Sequence, residues 1–131
     1  MKRRSGLTML EDDPGDGVVI VRQGVYRVRL RMWLNKGEPV RWKAASGPVG
    51  KAWLEDDGAT LVTEWRIDRH QLVSGLFYGC EGMRVGGRRR LRISPHLAYG
   101  EKGVPGVIPA DAVLTAEIEV LEAIRPAPRS A

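Results

Sequence analysis

The sequence predicts an antiparallel α+β fold built from several short strands and one short helix. Segments in which apolar and charged residues alternate recur along the chain, and only one segment has helical spacing. Strands and helices do not alternate regularly, which disfavours a parallel sheet. The 131 residues, of which 43% are hydrophobic and 28% charged, suffice for one globular domain with one core.

The clearest strand pattern lies at residues 25–34. Val28, Leu30 and Met32 alternate there with three arginines, which is the period of a strand with one buried face. Similar signals predict further strands at residues 18–21, 38–43, 60–67, 88–93 and 113–121. Strand signals therefore dominate the chain.

One short helix is predicted after the middle of the chain. Asp68 is a candidate cap, and Gln71 three residues later completes a pattern like a capping box. Leu72, Leu76 and Cys80 then recur at helical spacing. Two glycines within this segment lower its intrinsic helicity, so we expect packing against the rest of the protein to hold it in place.

The domain organisation is simple. We predict a flexible arm at residues 1–14, one folded domain at residues 15–124 and a disordered tail at residues 125–131. Within the domain, an insertion is predicted near residues 45–57. Trp42, Trp53 and Trp65 lie in or beside it, and tryptophans so placed usually cover a core.

Composition excludes several classes of protein. The single cysteine, Cys80, rules out an internal disulfide framework, and with only His70 and His96 beside it no set of residues has zinc-site spacing. We expect no metal and no cofactor. The basic N-terminus is not followed by a signal-peptide apolar region, and no later segment has the length of a membrane span. We therefore expect a soluble, cytoplasmic protein without membrane partners.

The net charge of +5 permits acidic partners. No helix-turn-helix, zinc finger or aromatic RNA-binding sheet is present in the sequence, so we expect no specific nucleic acid partner. Binding of polyanions through the arginines is kept only as a distant third hypothesis.

One continuous run carries a family resemblance. Residues 82–100 read Gly-Met-Arg-Val-Gly-Gly, then a basic strand ending in Ile-Ser-Pro, then Ala-Tyr-Gly. A glycine-rich loop ending in Ile-Pro and a last strand follow. In this order and spacing, the run resembles the FKBP-type peptidyl-prolyl cis-trans isomerase family, of which the chain looks like a divergent member. The resemblance covers residues 75–121.

The resemblance implies a fold as well as an activity. It implies a five-stranded antiparallel sheet wrapped around one short helix, with the last strand in the centre. Strands rich in arginine would then flank it, so that Glu117 and Glu119 form an acidic stripe between two basic ones. Opposite charges directly across a sheet face contribute about 0.2–1 kcal/mol per pair.

The resemblance also implies a substrate pocket. Catalytic roles fall to the Tyr99 hydroxyl and the Val73 backbone N–H, which would hold substrate carbonyls, and to Leu76 at the pocket floor. The positions implied to bind substrate are Leu30, Val40, Trp65, Leu72, Val73, Leu76, Tyr99, Val107, Ile108 and Ala116.

Some pocket positions differ from the family pattern. Leu76 replaces a tryptophan, Ala116 a phenylalanine and Leu30 a tyrosine, and Val40-Arg41 stands where the family has Phe-Asp. Either Thr63 or Trp65 stands at a further aromatic position, so Tyr99 is the one clear aromatic of the predicted pocket. Because an aromatic, apolar wall favours the twisted amide over the planar one, we expect weak activity.

Two functional hypotheses follow. The first is an FKBP-type isomerase that acts on Xaa-Pro bonds in flexible or unfolded segments. The second is a peptide-binding or chaperone module on the same fold that has lost catalysis. For either, the resemblance implies proline-containing polypeptides as partners and macrolides as further ligands, and we expect a monomer.

Overall fold

A computed structural model describes residues 5–42 and 52–125, which form one six-stranded antiparallel sheet and a single α-helix. The strands are β1 (Leu7–Asp13), β2 (Val25–Trp33), β3 (Ala52–Glu55), β4 (Thr60–Arg66), β5 (Arg88–Ile93) and β6 (Leu114–Arg125). The helix, α1, spans Ser74–Gly79, and short 3-10 turns span Asp56–Gly58 and Pro95–Leu97. The predicted α+β class is confirmed.

The sheet order is β1-β5-β6-β2-β4-β3, which places β6 in the centre as the resemblance implied. The described residues contain one strand more than the five that were implied. The two strands that flank β6 place apolar side chains directly opposite its own. Leu30 of β2 lies opposite Ile118, and Leu91 of β5 lies opposite Ala116. These side chains are buried and form the core beneath the helix.

The helix lies unusually close to the sheet. A Cβ atom built on Gly75 would lie 2.4 Å from Ile93 Cγ2, and one built on Gly79 would lie 2.4 Å from Leu91 Cδ1. The two glycines that weaken the helix in isolation are therefore the residues that let it pack closely on β5. Tertiary contact replaces the missing intrinsic propensity.

The outer face of the sheet carries the predicted charge pattern. Glu117 on β6 lies between Arg31 of β2 and Arg90 of β5, and each guanidinium nitrogen is 3.2 Å from a carboxylate oxygen. Glu119 pairs with Arg29 at 3.1 Å. The acidic stripe between two basic strands is thus confirmed, and these arginines have structural partners.

The prediction of a flexible arm at residues 1–14 is wrong for the part that the structure describes. Residues 7–13 form β1, an edge strand paired with β5. The buried Arg89 holds it there. Its guanidinium donates to Asp12 Oδ1 at 3.0 Å, and to the carbonyls of Gly79 and Glu81 at 2.8 and 2.6 Å. Apolar and polar residues do not alternate along residues 7–13, so the sequence pattern does not indicate a strand there. The strand is recognised only by its pairing with β5.

Two predicted strands are reduced to extended segments. Residues 18–21 contribute one isolated bridge, between Val19 and Arg84, and residues 38–42 contribute one between Trp33 and Pro39. Lys43, the last residue of the second prediction, lies outside the described residues. Residues 60–67 and 113–121 differ from β4 and β6 only at their ends.

The predicted helix begins later than expected. Its first residue is Ser74, and Val73 is the N-cap. Asp68 does not cap it: the Asp68 carboxylate accepts a hydrogen bond from the His70 N–H at 2.8 Å instead. The capping-box pattern therefore marks a turn that precedes the helix.

The predicted insertion at residues 45–57 is only partly described, because residues 45–51 lie outside the described residues. Its remainder forms β3, which pairs with β4, and a 3-10 turn. Trp53 does not cover the core as predicted. It is 45% exposed on the outer face, with the guanidinium of Arg27 5.8 Å from its ring centroid.

The chain ends lie largely outside the described residues. This applies to the basic cluster at residues 2–4 and to residues 126–131 of the predicted tail, whereas Arg125 is the last residue of β6. Across residues 5–42 and 52–125, no helix is long and apolar enough to cross a membrane.

Candidate active site

A cavity of about 210 Å³ opens between the start of α1 and the inner face of the sheet. Its lining is almost entirely apolar and aromatic. It consists of Leu30, Trp42, Leu61, Trp65, Gln71, Leu72, Val73, Leu76, Tyr99 and Val104. A concave, mostly apolar cavity with few polar groups is the usual form of a site for a small ligand or a peptide side chain.

The sheet supplies one wall of this cavity. Leu30 of β2 and Leu61 of β4 are directly paired, so their side chains lie on the same face. Trp65 is four residues beyond Leu61 on the same strand and therefore shares this face. Strand alternation thus fixes three apolar groups of the wall.

The entry to the helix supplies the opposite side, with Leu72, Val73 and Leu76. Val73 has an extended conformation, with φ −60° and ψ 154°, and its carbonyl accepts the N–H groups of Leu76 and Phe77 at 3.1 and 3.0 Å. No backbone carbonyl among the described residues accepts the N–H of Val73. This donor at the cavity is therefore available to a ligand carbonyl.

Two aromatic rings meet at the cavity. The rings of Trp42 and Tyr99 are 6.1 Å apart between centroids and inclined by 65°, which is an edge-to-face contact. The backbone carbonyl of Tyr99 accepts the Gly103 N–H at 3.0 Å, which anchors the loop that carries it. The indole Nε1 of Trp42 is buried and has no hydrogen-bond partner among the described residues.

The Tyr99 hydroxyl is a stable donor. Burial removes solvent from the phenolate and raises the pKa of Tyr99 to about 12, above its ordinary value of 10.0. The hydroxyl therefore keeps its proton throughout the neutral and moderately alkaline range and can donate to a carbonyl of a bound ligand.

Most of the predicted site residues come together in this cavity, namely Leu30, Trp65, Leu72, Val73, Leu76 and Tyr99. The structure does not place the others there. Val40 and Ala116 are 1% and 0% exposed and belong to the core. Val40 is held by its N–H bond to the Met32 carbonyl at 2.8 Å, and Ala116 is covered by both neighbours of the central strand.

The long loop reaches the cavity through a different residue from those predicted. Val104 lines it, whereas Ile108 is buried in the core and Val107 is half-buried beside it. The loop folds back as a type II turn, with Gly106 at φ 73° and the Val107 N–H donating to the Val104 carbonyl at 2.9 Å. This turn directs Ile108 inward and leaves Val104 at the wall.

Sequence reasoning missed Trp42, Leu61, Gln71 and Val104 as cavity residues. Leu61 lies in the strand predicted at residues 60–67, but residues 60–63 are all buried, so no alternation assigned it to the cavity side. Trp42 was predicted only to cover the core, since nothing local shows that its ring reaches Tyr99.

Beside Trp42, Arg41 points away from the cavity and donates to the carbonyls of Asp56 and Asp57 at 3.3 and 3.1 Å. The basic residue at this position thus has a structural role.

Comparison with known proteins identifies the family. Residues 51–121 match the sequence profile of the FKBP-type peptidyl-prolyl cis-trans isomerases. The chain belongs to this family. FK506-binding protein 1A of Neurospora crassa is 30% identical over 121 residues, which are 91% of this chain and 82% of that protein. The run recognised at residues 82–114 lies wholly within the matched segment.

Two further comparisons extend this result. FK506-binding protein 4 of Chaetomium thermophilum is 47% identical over 57 residues, which are 44% of this chain but only 12% of that longer protein. The crystal structure of FkpA from Escherichia coli superposes with a TM-score of 0.64 at 25% identity, over 93% of this chain and 48% of that one. The FKBP-type fold therefore extends over nearly the whole chain, which spans only part of some relatives.

The one thiol in this FKBP-type domain is not an activated nucleophile. Cys80 is buried, and loss of solvent raises the pKa of its thiol to about 12, so it stays protonated. Within the described parts of the chain, no three His, Cys, Asp or Glu residues lie together in a group that could hold a metal ion. The cavity itself offers an apolar surface and a small number of hydrogen-bond donors.

Proposed function

We propose that this FKBP-type domain catalyses the cis–trans isomerisation of Xaa-Pro bonds in flexible or unfolded polypeptide segments. The observation that supports this most directly is the cavity, where apolar walls surround two separate donors, the Tyr99 hydroxyl and the Val73 N–H. A proline ring would occupy the apolar part. The donors would bind the carbonyls next to it.

The chemistry requires no nucleophile. Rotation about a peptide bond meets a barrier of roughly 18–20 kcal/mol because the planar amide is stabilised by resonance. At the top of the barrier resonance is lost and the carbonyl is less polar, so an apolar surface stabilises the twisted form more than the planar one. Donors that fix the flanking carbonyls keep the bond aligned during rotation.

We further propose that the isomerase activity is weak, although fewer substitutions in the pocket account for this than the sequence indicated. Trp42 and Trp65 line the cavity together with Tyr99, so aromatic surface is present on more than one side. The remaining departure is the floor, where Leu76 offers a smaller apolar surface than the tryptophan of the family pattern. Macrolide binding in the same cavity is part of the proposal.

The alternative is a peptide-binding or chaperone module without catalysis. It is favoured by the same aliphatic floor, since the cavity would still bind a proline side chain. Cytoplasmic location and a monomeric state stay predictions from the sequence.

The test is a protease-free assay of Xaa-Pro isomerisation that compares wild type, Tyr99→Phe and Leu76→Trp. Catalysis by this cavity predicts acceleration over buffer, a loss of rate in Tyr99→Phe and a gain in Leu76→Trp. FK506 should inhibit the wild type. Arg92→Gln, which changes an exposed residue on the outer face of β5, is the matched control and should leave the rate unchanged.

Acceleration that is absent in both wild type and Leu76→Trp would overturn the isomerase proposal. If the wild type nevertheless bound proline peptides with affinity that depends on Tyr99, the binding module would be the better description. Absence of both would exclude the cavity as a peptide site.

A further inference from the structure

A second, polar groove adjoins the apolar cavity. It measures about 390 Å³, and Gln71, Leu72 and Val73 line both spaces. A peptide that places its proline in the apolar cavity would therefore have a direct route into this groove past the available N–H of Val73. Its volume is sufficient for the side chain of a residue that flanks the proline.

The ionisable side chains that line the groove are all basic. Arg69, His70 and His96 all line it, and Ser74 adds a hydroxyl. No carboxylate is found among the described residues that line it. The carboxylate of Asp68, next in sequence, accepts the His70 backbone N–H. The groove thus presents donors and permanent positive charge, whereas the cavity beside it is apolar.

Two of these side chains are held in place. Arg69 Nη1 donates to the Leu72 carbonyl at 2.6 Å, and the Arg69 Cζ atom lies 5.9 Å from the centroid of the Phe77 ring, so two contacts hold this guanidinium beside the groove. The His96 ring packs against the backbone of Gly6, where a built Cβ atom would come within 2.5 Å of Cε1. Both groups are therefore positioned before a ligand arrives, which lowers the entropic cost of binding.

We propose that this groove binds an acidic side chain of the substrate, so that the domain prefers Xaa-Pro segments flanked by glutamate or aspartate. The Arg69 guanidinium supplies the charge, and the ring N–H groups of His70 and His96 donate to the carboxylate. The inference rests on the proposed function, because it assumes that the proline occupies the adjoining cavity.

The test measures binding rather than turnover. Peptides share an Ala-Leu-Pro-Ala core and carry Glu, Gln or Lys two residues before or after the proline, and affinities are read from NMR titrations at low and high salt. For one of the two positions, the Glu peptide should bind about two- to fivefold more tightly than the Gln peptide, as is usual for a partly exposed ion pair. The Lys peptide should be weakest, and salt should narrow the differences.

Variants locate the effect. His96→Glu should reverse the order of the Glu and Lys peptides, and Arg69→Gln should abolish the preference. Arg92→Gln, which removes one positive charge from the exposed outer face of β5, should preserve the preference. The amide resonances of His96 and Leu97 should shift with the Glu peptide and much less with the Gln peptide.

Equal affinity for the Glu and Gln peptides at both positions would overturn the inference and leave the proposed function intact. So would a Glu preference that survives His96→Glu, or one that Arg92→Gln removes equally. If no peptide bound at all, the proposed function itself would fail and the inference with it.

Discussion

Trp42 and Tyr99 meet edge to face in the lining of the cavity, with ring centroids 6.1 Å apart. They come from distant parts of the chain, one following β2 and the other following β5. Trp42 therefore supports the orientation of the residue that is predicted to bind substrate, and also contributes its own apolar surface. This contact makes the tryptophan the most informative position for mutation.

Substitution of Trp42 should impair both stability and catalysis, because this residue belongs to the buried core as well as to the cavity wall. Aromatic pairs contribute about 0.5–1.5 kcal/mol beyond the burial of their surface, so Trp42→Ala should lower kcat/KM roughly 2- to 10-fold. Trp42→Phe keeps an aromatic ring and should lose less. The assay is protease-free isomerisation, with Trp53→Phe on the outer face as a control. Equal rates in all variants would contradict a role for this contact.

The contribution of Tyr99 should be independent of pH over a wide range. Its pKa is raised from 10.0 to about 12, so the hydroxyl stays protonated until the pH approaches that value. Tyr99→Phe should lower kcat/KM roughly 2- to 10-fold, which corresponds to one hydrogen bond. The ratio of wild type to variant should be constant from pH 6 to pH 9.5. A ratio that approached one by pH 9.5 would show that the hydroxyl ionises early.

The same raised pKa affects stability in alkali. Because the folded state holds the tyrosine proton more tightly than the unfolded state, this contribution is fully present below pH 10 and is lost as the pH rises toward 12. Burial of Cys80 acts in the same direction, between pH 9 and pH 12. Both groups therefore favour unfolding above pH 10.

Loss of Asp12 should destabilise the edge of the sheet. Arg89 is nearly fully buried, and Asp12 is its carboxylate partner at 3.0 Å. Asp12→Asn removes a carboxylate that pairs with this buried guanidinium, so the free energy of unfolding should fall by about 1–3 kcal/mol in urea. Asp13→Asn, at the exposed end of the same strand, should change it by less than about 0.5 kcal/mol. Faster hydrogen exchange confined to β1 and β5 would accompany the first variant.

Neutralising Glu117 should cost more than neutralising Glu119. The Glu117 side chain is only 9% exposed and lies between two arginines, whereas that of Glu119 is 32% exposed and hydrogen-bonds to one, Arg29. Glu117→Gln leaves Arg31 and Arg90 facing each other and should lower the free energy of unfolding by about 1–2 kcal/mol. Glu119→Gln should cost less than about 1 kcal/mol. Equal losses would mean that burial of the stripe is unimportant.

Much of the fold was predictable because a strand with one buried face shows that burial in its sequence, as an alternation of apolar and polar residues. The alternation in β2, β5 and β6 depends on the period of two residues, which any strand with one buried face must show. The edge strand β1 was not predictable in this way, since its residues beyond Leu7 are largely exposed and lack alternation. Arg89, which lies on the neighbouring strand β5, holds β1 in the sheet through its bond to Asp12.

The residues of the candidate site also fall into two groups, those that local sequence predicts and those that it does not. Tyr99, Leu72, Val73 and Leu76 were found because they belong to a continuous motif, in which spacing along the chain fixes position in space. Trp42 and Val104 were missed because they reach the cavity through loop geometry, and Ile108 was misplaced because the turn at Gly106 directs it into the core. A loop's path depends on contacts that adjacent residues do not encode.

The sequence by itself determined the family, the central position of β6, the charged stripe along it and a pocket beside the helix entry. These follow from local periods and a continuous motif, both of which survive without knowledge of distant neighbours. Only the tertiary structure decided which aromatic rings meet at the pocket, that Arg89 fixes an acidic edge strand, and that a cationic groove continues from the apolar cavity. Each of these joins residues far apart in the chain, and such proximity is set by packing of the whole domain rather than by any local preference.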